Sequence, residues 1–454
     1  MTMDFSIGIP DGEAARSAVG LVHFLHSAGF TTYWAGGCVR DLLLGKIPID
    51  YDIATSAVPD QIQHLFPRAE LTGKSFGVCR VLFEGVFFEV ATFRSDLAYT
   101  DGRHPEGIRF ADAPTDAQRR DFTINALFYD PIAKRLLDFV GGRADLDAGI
   151  IRAVGDPNAR FKEDHLRILR ALRFAARLNF TLEPATLKAV IADAHHLSRI
   201  SPERIREELV RLFLEALRPG DAFRQLEATG VLTVVLPELA RMRGQAQPPE
   251  FHPEGDVFTH TAIMLDRMSR RSVRLIFAVL LHDVGKPPTA EYRDGRWRFE
   301  NHARAGAELA RDILSRLRFS NDDIEAITHM VGNHMRFQKV SEMRRSTLRT
   351  LVGHPEFDDE LELHRLDCES SHGLLDNLEF LQNFRLALQS EPALPPRWIS
   401  GHDLLAMGLP SGPRLGQWLK TAYEKQLEGQ FPDRESLLLW LRAAVVSIDN
   451  DSRS

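Results

Sequence analysis

Cysteine is scarce: Cys38, Cys79 and Cys368 stand far apart in 454 residues and form no CxxC pair. That spacing argues against a disulfide framework or a structural zinc site and suits a reducing cytoplasm. An excess of positive charge is missing too. The formal net charge is −7, so any RNA-binding surface must be a local patch. Long apolar runs are absent. The longest, Leu275 to Leu281, is far too short to span a bilayer, and Met1 to Ser17 has no apolar signal core. The expectation is a cytoplasmic protein with no membrane partner, its oligomeric state left open. Fixed-period repeats and low-complexity tracts are also lacking.

What is there reads as a globular chain. Hydrophobic residues make up 44% and charged residues 26%, and 454 residues suit two to four domains. Residues 1–142 mix helix and strand signals. Val78–Phe83 and Val86–Val90 alternate as two strands joined by Glu84-Gly85, a tight hairpin link. From residue 143 on, helical periodicity dominates, interrupted by Pro and Gly. Breaks at Gly155-Asp156-Pro157, Gly244 to Glu254 and Pro392 to Pro396 fit a division into 1–142, 143–245, 246–390 and 391–454. The fold class expected is α+β.

Asp50 and Asp52 are the most informative pair. On a strand, carboxylates at i and i+2 point to one side and repel. A divalent cation such as Mg²⁺ relieves that repulsion and prefers such oxygen ligands together with substrate phosphates. Alone, the pair equally suits a solvated acidic turn. Its context is more specific. Tyr33-Trp34-Ala35 reads as a buried strand, Gly36-Gly37 as a turn that admits a ligand close to the backbone, and Val39 to Leu44 as a helix start carrying Arg40. Gly73-Lys74-Ser75 is not a phosphate loop, because Arg68 occupies the place of the required first glycine.

Gly36-Gly37-Cys38-Val39-Arg40-Asp41 followed by Asp50-Tyr51-Asp52 resembles the head signature of class II tRNA nucleotidyltransferases and bacterial poly(A) polymerases. The resemblance implies a polymerase-β-like nucleotidyltransferase head, with Glu89 as the third carboxylate beside Asp50 and Asp52. Without it, a strand glutamate reads as solvent-facing. Arg119-Arg120-Asp121-Phe122-Thr123-Ile124-Asn125 is similar to the family's second motif. We read its arginines as opening a helix and clamping a triphosphate, with Asp121 and Asn125 on one helical face. Between these motifs, Asp101-Gly102-Arg103-His104-Pro105 resembles the family's flexible loop.

Glu163 to Arg170 is expected on a continuous helix, with Leu166, Leu169, Phe174 and Leu178 as its apolar face. Asp164 and Arg167 at i, i+3 are commonly a surface ion pair. A sharper reading follows from hydrogen-bond chemistry. C and A both present an amino donor beside a ring-nitrogen acceptor, whereas U and G reverse that order. A carboxylate next to a guanidinium therefore accepts C and A. The segment resembles the family's protein-template motif, which includes Arg170. Arg173, Arg177, Arg204, Arg206 and Arg211 could meet RNA phosphates or simply pair with Glu203, Glu207 and Glu208.

A second chemistry lies downstream. His260, His282-Asp283, His302, His334 and Asp367 sit at the ends of apolar helical stretches, a set suited to Mn, Fe, Ni, Co or Zn. Each alone also reads as a cap or surface residue. Together, and with His282-Asp283-Val284-Gly285-Lys286-Pro287, they resemble the HD phosphohydrolase superfamily. That likeness implies His260, His282, Asp283 and Asp367 as ligands, with His302 and His334 extending the site. Asp403-Leu404-Leu405, Gly408 to Pro413 and Gln426 to Gly429 resemble the ends of family members carrying this module.

The resemblance thus implies a nucleotidyltransferase head followed by an all-α neck and body and an α-helical HD domain. Its expected activity is template-independent addition of CCA to tRNA 3′ ends from CTP and ATP, with Mg²⁺ in the head. Nucleotide contacts fall to Gly36, Gly37, Arg40, Arg120, Asp121, Asn125, Asp164, Arg167 and Arg170. Poly(A) tailing or partial CC or A addition keeps the chemistry and changes the product. A phosphohydrolase whose head only binds RNA is the reading from another class.

Overall fold

A computed structural model of the chain describes residues 2–4, 8–73, 77–96, 107–388 and 391–451. Lys74 and the Asp101–Pro105 segment lie outside them. The chain divides into two units, residues 1–241 with 313–319, and residues 242–312 with 320–454.

In the first unit, short aromatic and β-branched stretches become strands. In chain order these are β1 (Thr2–Asp4), β2 (Thr32–Ala35), β3 (Ile53–Thr55), β4 (Glu70–Gly73), β5 (Val78–Phe83), β6 (Val86–Thr92), β7 (Arg94–Asp96), β8 (Ile108–Phe110), β9 (Leu127–Asp130) and β10 (Arg135–Asp138). Eight form one sheet in the order β1-β10-β9-β2-β3-β6-β5-β4, while β7 and β8 pair separately. The large sheet is mixed: β3 runs parallel to β6, and its other neighbours are antiparallel. Glu84 (φ 47°) and Gly85 (φ 83°) close the β5–β6 hairpin with two left-handed residues, the geometry that matches strand twist.

Trp34 on β2 is fully buried, packs at a tilt against Tyr51 with ring centroids 4.9 Å apart, and donates its indole N–H to Ala18 O at 3.4 Å. Ala18, Leu21, Val22 and Leu25 form the buried stripe of helix Glu13–Ser27. Beyond residue 142 the first unit is mainly helical, with one short parallel strand pair, Ile150–Ile151 with Thr181–Leu182. Helix Arg167–Leu178 packs against Pro202–Glu215; Leu169 and Leu172 are buried on the first and Leu209 and Leu212 on the second.

Three local expectations fail. The continuous helix over Glu163–Arg170 is broken: one helix ends at Glu163, Asp164 is extended (φ −142°, ψ 103°), and the next begins at Arg167. Asp164 accepts the Leu166 N–H at 3.1 Å, the local side-chain bond by which aspartate competes with a helix interior. Arg119-Arg120 closes a helix, Ala113–Arg119, instead of opening one. The start signal lies upstream, where Asp112 caps Thr115 N–H at 3.0 Å and Pro114 fills the first turn. Asp121 therefore lies outside that helix, and Asn125 belongs to a single 3₁₀ turn, Thr123–Asn125. Finally, Asp50 and Asp52 precede β3 and are not on a strand, yet Tyr51 turns inward while both aspartates face outward.

The second unit is almost wholly helical, with one small hairpin, Glu291–Arg293 with Arg296–Arg298. Leu275 to Leu281 is buried throughout, which is why that helix is apolar on every side. Ile399, Leu404, Leu409, Ala422, Leu437 and Leu441 form a separate core among the last helices. No described helix is long and apolar enough to cross a membrane.

Candidate active site

The parallel β3–β6 register, Ile53 opposite Val90, sets Asp52 across from Glu89. Although Asp52 meets solvent, loss of water on its protein side raises its pKa; Asp50 and Glu89 push it further, to about 6, against the pull of Arg120. Two carboxylates, Asp50 and Glu89, thus act on a third, Asp52, with Arg120 opposing them. That is the donor set a hard divalent cation fits.

Gly36 makes this close approach possible. Its φ of 71° and ψ of −122° suit only glycine, and a Cβ there would stand 3.0 Å from Arg120 Nη1 and 4.0 Å from Asp52 Oδ2. Beside it opens a cavity of about 490 Å³. Its lining carries eight arginines (Arg40, Arg119, Arg120, Arg167, Arg170, Arg173, Arg177, Arg211) against three aspartates (Asp52, Asp121, Asp164). The excess of fixed guanidinium charge suits a polyanion, and the size suits a nucleotide.

The arginines are held, not loose. Arg40, 2% exposed, donates to Asp41 Oδ1 at 2.8 Å and Asn125 Oδ1 at 2.5 Å. Arg120 grips Asp116 at 3.0 Å and the Asn125 carbonyl at 3.1 Å. Arg170 clamps Asp121 at 2.6 and 2.9 Å. Burial alone would raise the Asp121 pKa, but Arg170 outweighs it and holds it at about 2. Asn125 Nδ2 donates to Asp121 at 3.1 Å, so the two residues expected on one helical face meet through a turn.

Asp164 and Arg167 both line the cavity but do not pair with each other. Arg204 Nη2 reaches Asp164 at 3.2 Å, while Arg167 donates to Glu163 at 2.7 Å and to the Arg119 carbonyl at 3.1 Å. Three other basic residues find acids: Arg173 with Glu208 at 2.7 Å, Arg177 with Asp41 at 3.3 Å, Arg206 with Glu207 at 3.8 Å. Sequence reading missed Asp116, which is buried and holds Arg119 and Arg120 together. Its i+3 and i+4 spacing to them was a usable signal. Phe174 was read only as core; it also carries Arg173 over its ring at 4.4 Å.

The second unit gathers the other expected set. His260, His282 and Asp367 offer ligand atoms within 4.8 Å of one another, and so do Asp283, His302 and His334. The proton positions are informative. His282, His302 and His334 each direct Nδ1 at the carbonyl three residues earlier (Val279, Phe299, Val331) at 2.7 to 2.8 Å. With Nδ1 donating, each Nε2 is a bare lone pair. His302 and His334 Nε2 then face each other at 3.2 Å, and His282 Nε2 is buried without a hydrogen-bond partner. Burial lowers the His334 pKa to about 4, so protonation does not relieve the clash. A transition-metal cation does, and these residues fit one.

Glu254 and His252, from the Pro- and Gly-containing stretch before the helix Val257–Asp266, were missed. Glu254 accepts from His260 Nδ1 at 2.6 Å, a carboxylate placed to orient a candidate ligand ring. Burial would lower the His260 pKa, but Asp367 and Glu254 raise it to about 9 in the metal-free site. Lys286 holds Asp283 at 2.7 Å. A further cluster, His329, His354 and Glu360, already has a counter-ion: Arg336 bonds Glu360. We expect His282→Ala to remove tightly bound transition metal from the purified protein, with the far-ultraviolet circular dichroism unchanged. Undiminished metal content would place the ion elsewhere.

Three family models match the chain: the poly A polymerase head domain over residues 32–152, a probable RNA and SrmB-binding site of polymerase A over 179–242, and the HD domain over 256–363. A CCA-adding enzyme of Lactobacillus johnsonii is 32% identical over 431 residues, 94% of this chain and 96% of the relative. Poly(A) polymerase I of Salmonella typhi is 39% identical over 241 residues, 50% of this chain and 51% of the relative. Among solved structures, the Bacillus stearothermophilus CCA-adding enzyme in complex with CTP superposes with a TM-score of 0.72 at 24% identity, covering 97% of this chain and all of that one. The Thermotoga maritima CCA-adding enzyme complexed with tRNA gives 0.62 at 22% identity, covering 98% of this chain and 99% of that one. At these identities the structural likeness speaks for the fold.

Proposed function

The chain belongs to the family of CCA-adding enzymes and bacterial poly(A) polymerases and is a nucleotidyltransferase; from that premise we propose that it completes tRNA 3′ ends with CCA, drawing on CTP and ATP. The observation that carries this is the placement of Asp52 opposite Glu89 beside a cavity with eight arginines. On this reading residues 1–142 are the head, 143–245 the neck and body, 246–390 the HD domain and 391–454 a helical tail.

Asp50, Asp52 and Glu89 would hold two Mg²⁺ ions, which lower the pKa of the attacking hydroxyl and neutralise the leaving group. Arg120 and Arg170 line the place for the triphosphate, each fixed by a carboxylate, so little reorganisation is needed on binding. Arg40 acts from behind, locking Asn125 and Asp41 in position. The RNA 3′-hydroxyl attacks the α-phosphorus, the bond to the bridging oxygen breaks, and pyrophosphate leaves. Asp164 accepts the amino group of C or A, and Arg167 donates to the ring nitrogen beside it.

One pyrophosphate released per nucleotide incorporated is the expected stoichiometry; release of inorganic phosphate instead would contradict this chemistry. Asp164→Ala should raise misincorporation of UTP or GTP relative to CTP by about tenfold or more, because loss of one well-placed acceptor removes discrimination of that order. Equal selectivity in the variant would take base reading away from Asp164. The converged histidines of the second unit support a further hydrolytic centre using Mn, Fe, Co, Ni or Zn.

A further inference from the structure

The arginine-rich cavity accounts for the nucleotide but leaves the approach of the RNA 3′ end unassigned. On β6, side chains alternate: Phe88 and Val90 are buried, while Phe87 and Glu89 face outward together. Phe87 therefore stands on the same face as Glu89, about 7 Å along the strand. It is 54% exposed. Its cross-strand partner Leu82 is 42% exposed, and Arg80 is the partner of Glu89. Arg80 lies over the Phe87 ring, its guanidinium carbon 4.2 Å from the centroid. Glu70 stands beside Arg80 at 3.9 Å, and both side chains are about half exposed or more (48% and 67%).

We propose that Phe87 and Arg80 form the landing platform for the terminal nucleotides of the RNA being extended. The nucleobase stacks on the aromatic–guanidinium layer, and the guanidinium meets a backbone phosphate. This rests on Asp50, Asp52 and Glu89 being the transfer site. Three features select RNA as the occupant. The patch is continuous with Glu89, which the 3′-hydroxyl must reach. It lies off the nucleotide cavity, whose lining includes neither Phe87 nor Arg80. Its chemistry, an aromatic face with a cation, tolerates every base. That tolerance is what an enzyme without a template needs, because its primer ends in whichever base precedes CCA at the first addition and in C at the next two.

The test is steady-state incorporation on a tRNA transcript lacking CCA, comparing wild type, Phe87→Ala and Phe87→Trp. Phe87→Ala should raise the KM for RNA about tenfold, the effect of losing one stacking partner, and Phe87→Trp should restore it. The KM for CTP and the melting temperature should stay at the wild-type values. An RNA KM unchanged in Phe87→Ala overturns the proposal, as does an equal rise in the KM for CTP. A variant that alters oligomeric state while the RNA KM holds would make the patch a contact between copies of this chain, which also overturns it. Failure of the underlying reading looks different: the wild-type protein itself would then incorporate nothing.

Discussion

Asp52→Ala will lower nucleotide incorporation by about 10³-fold or more, the scale that follows if Asp52 is one of the carboxylates that would hold the proposed Mg²⁺ ions. It will do so without unfolding the protein. In the metal-free state Asp52 is a liability: burial and its neighbours Asp50 and Glu89 hold its pKa near 6. A carboxyl whose folded pKa is raised destabilises the fold increasingly as pH climbs from its unfolded pKa to the folded one, and fully above it. Deleting it should leave the melting temperature of metal-free protein at pH 8 equal or slightly higher. A variant that melts well below wild type would mean Asp52 supports the fold. Retained incorporation would remove it from the chemistry.

Gly285→Ala carries the second large effect. Gly285 has ordinary helical angles (φ −78°, ψ −13°), so alanine's backbone preference is satisfied. The cost is steric. A Cβ at 285 would stand 2.1 Å from the His302 carbonyl and 2.6 Å from the Gly306 amide. Those are backbone atoms and cannot rotate away. Making room moves the start of the helix His302–Arg316 and with it the His302 ring that faces His334. We expect a loss of about 3 kcal/mol or more, the upper range for overpacking, together with loss of bound transition metal. Thermal unfolding and metal analysis read both. Wild-type values in the variant would contradict the close approach of these two segments.

Local chemistry was legible in the sequence. The Glu84-Gly85 hairpin followed from alternation and turn residues, and the Gly36-Gly37 turn from the need for a residue without a Cβ. Nonlocal placement was not. Glu89 faces Asp52 only because β3 and β6 run parallel, and no pattern within either strand specifies that pairing. The helix break at Asp164 was hidden because Leu166, Leu169 and Phe174 keep helical spacing but all lie beyond it, so they mark no start; at the break itself Asp164 accepts the Leu166 N–H. The Arg119-Arg120 pair was set at the wrong end of its helix because the Asp112-Pro114 start signal upstream was overlooked. Of the histidine and aspartate cluster in the second unit, the motif-bearing members were readable, while Glu254 and His252 come from an irregular loop where no period marks them.

The most direct measurement is extension of tRNA transcripts ending before CCA, after C, and after CC, by the full chain with CTP, ATP and Mg²⁺. Addition of three, two and one nucleotides respectively, followed by arrest, is the result expected here. Long A tails or addition of only C or only A would keep the chemistry and change the product. No incorporation on any of the three would contradict the claim that Asp50, Asp52 and Glu89 form a working transfer site.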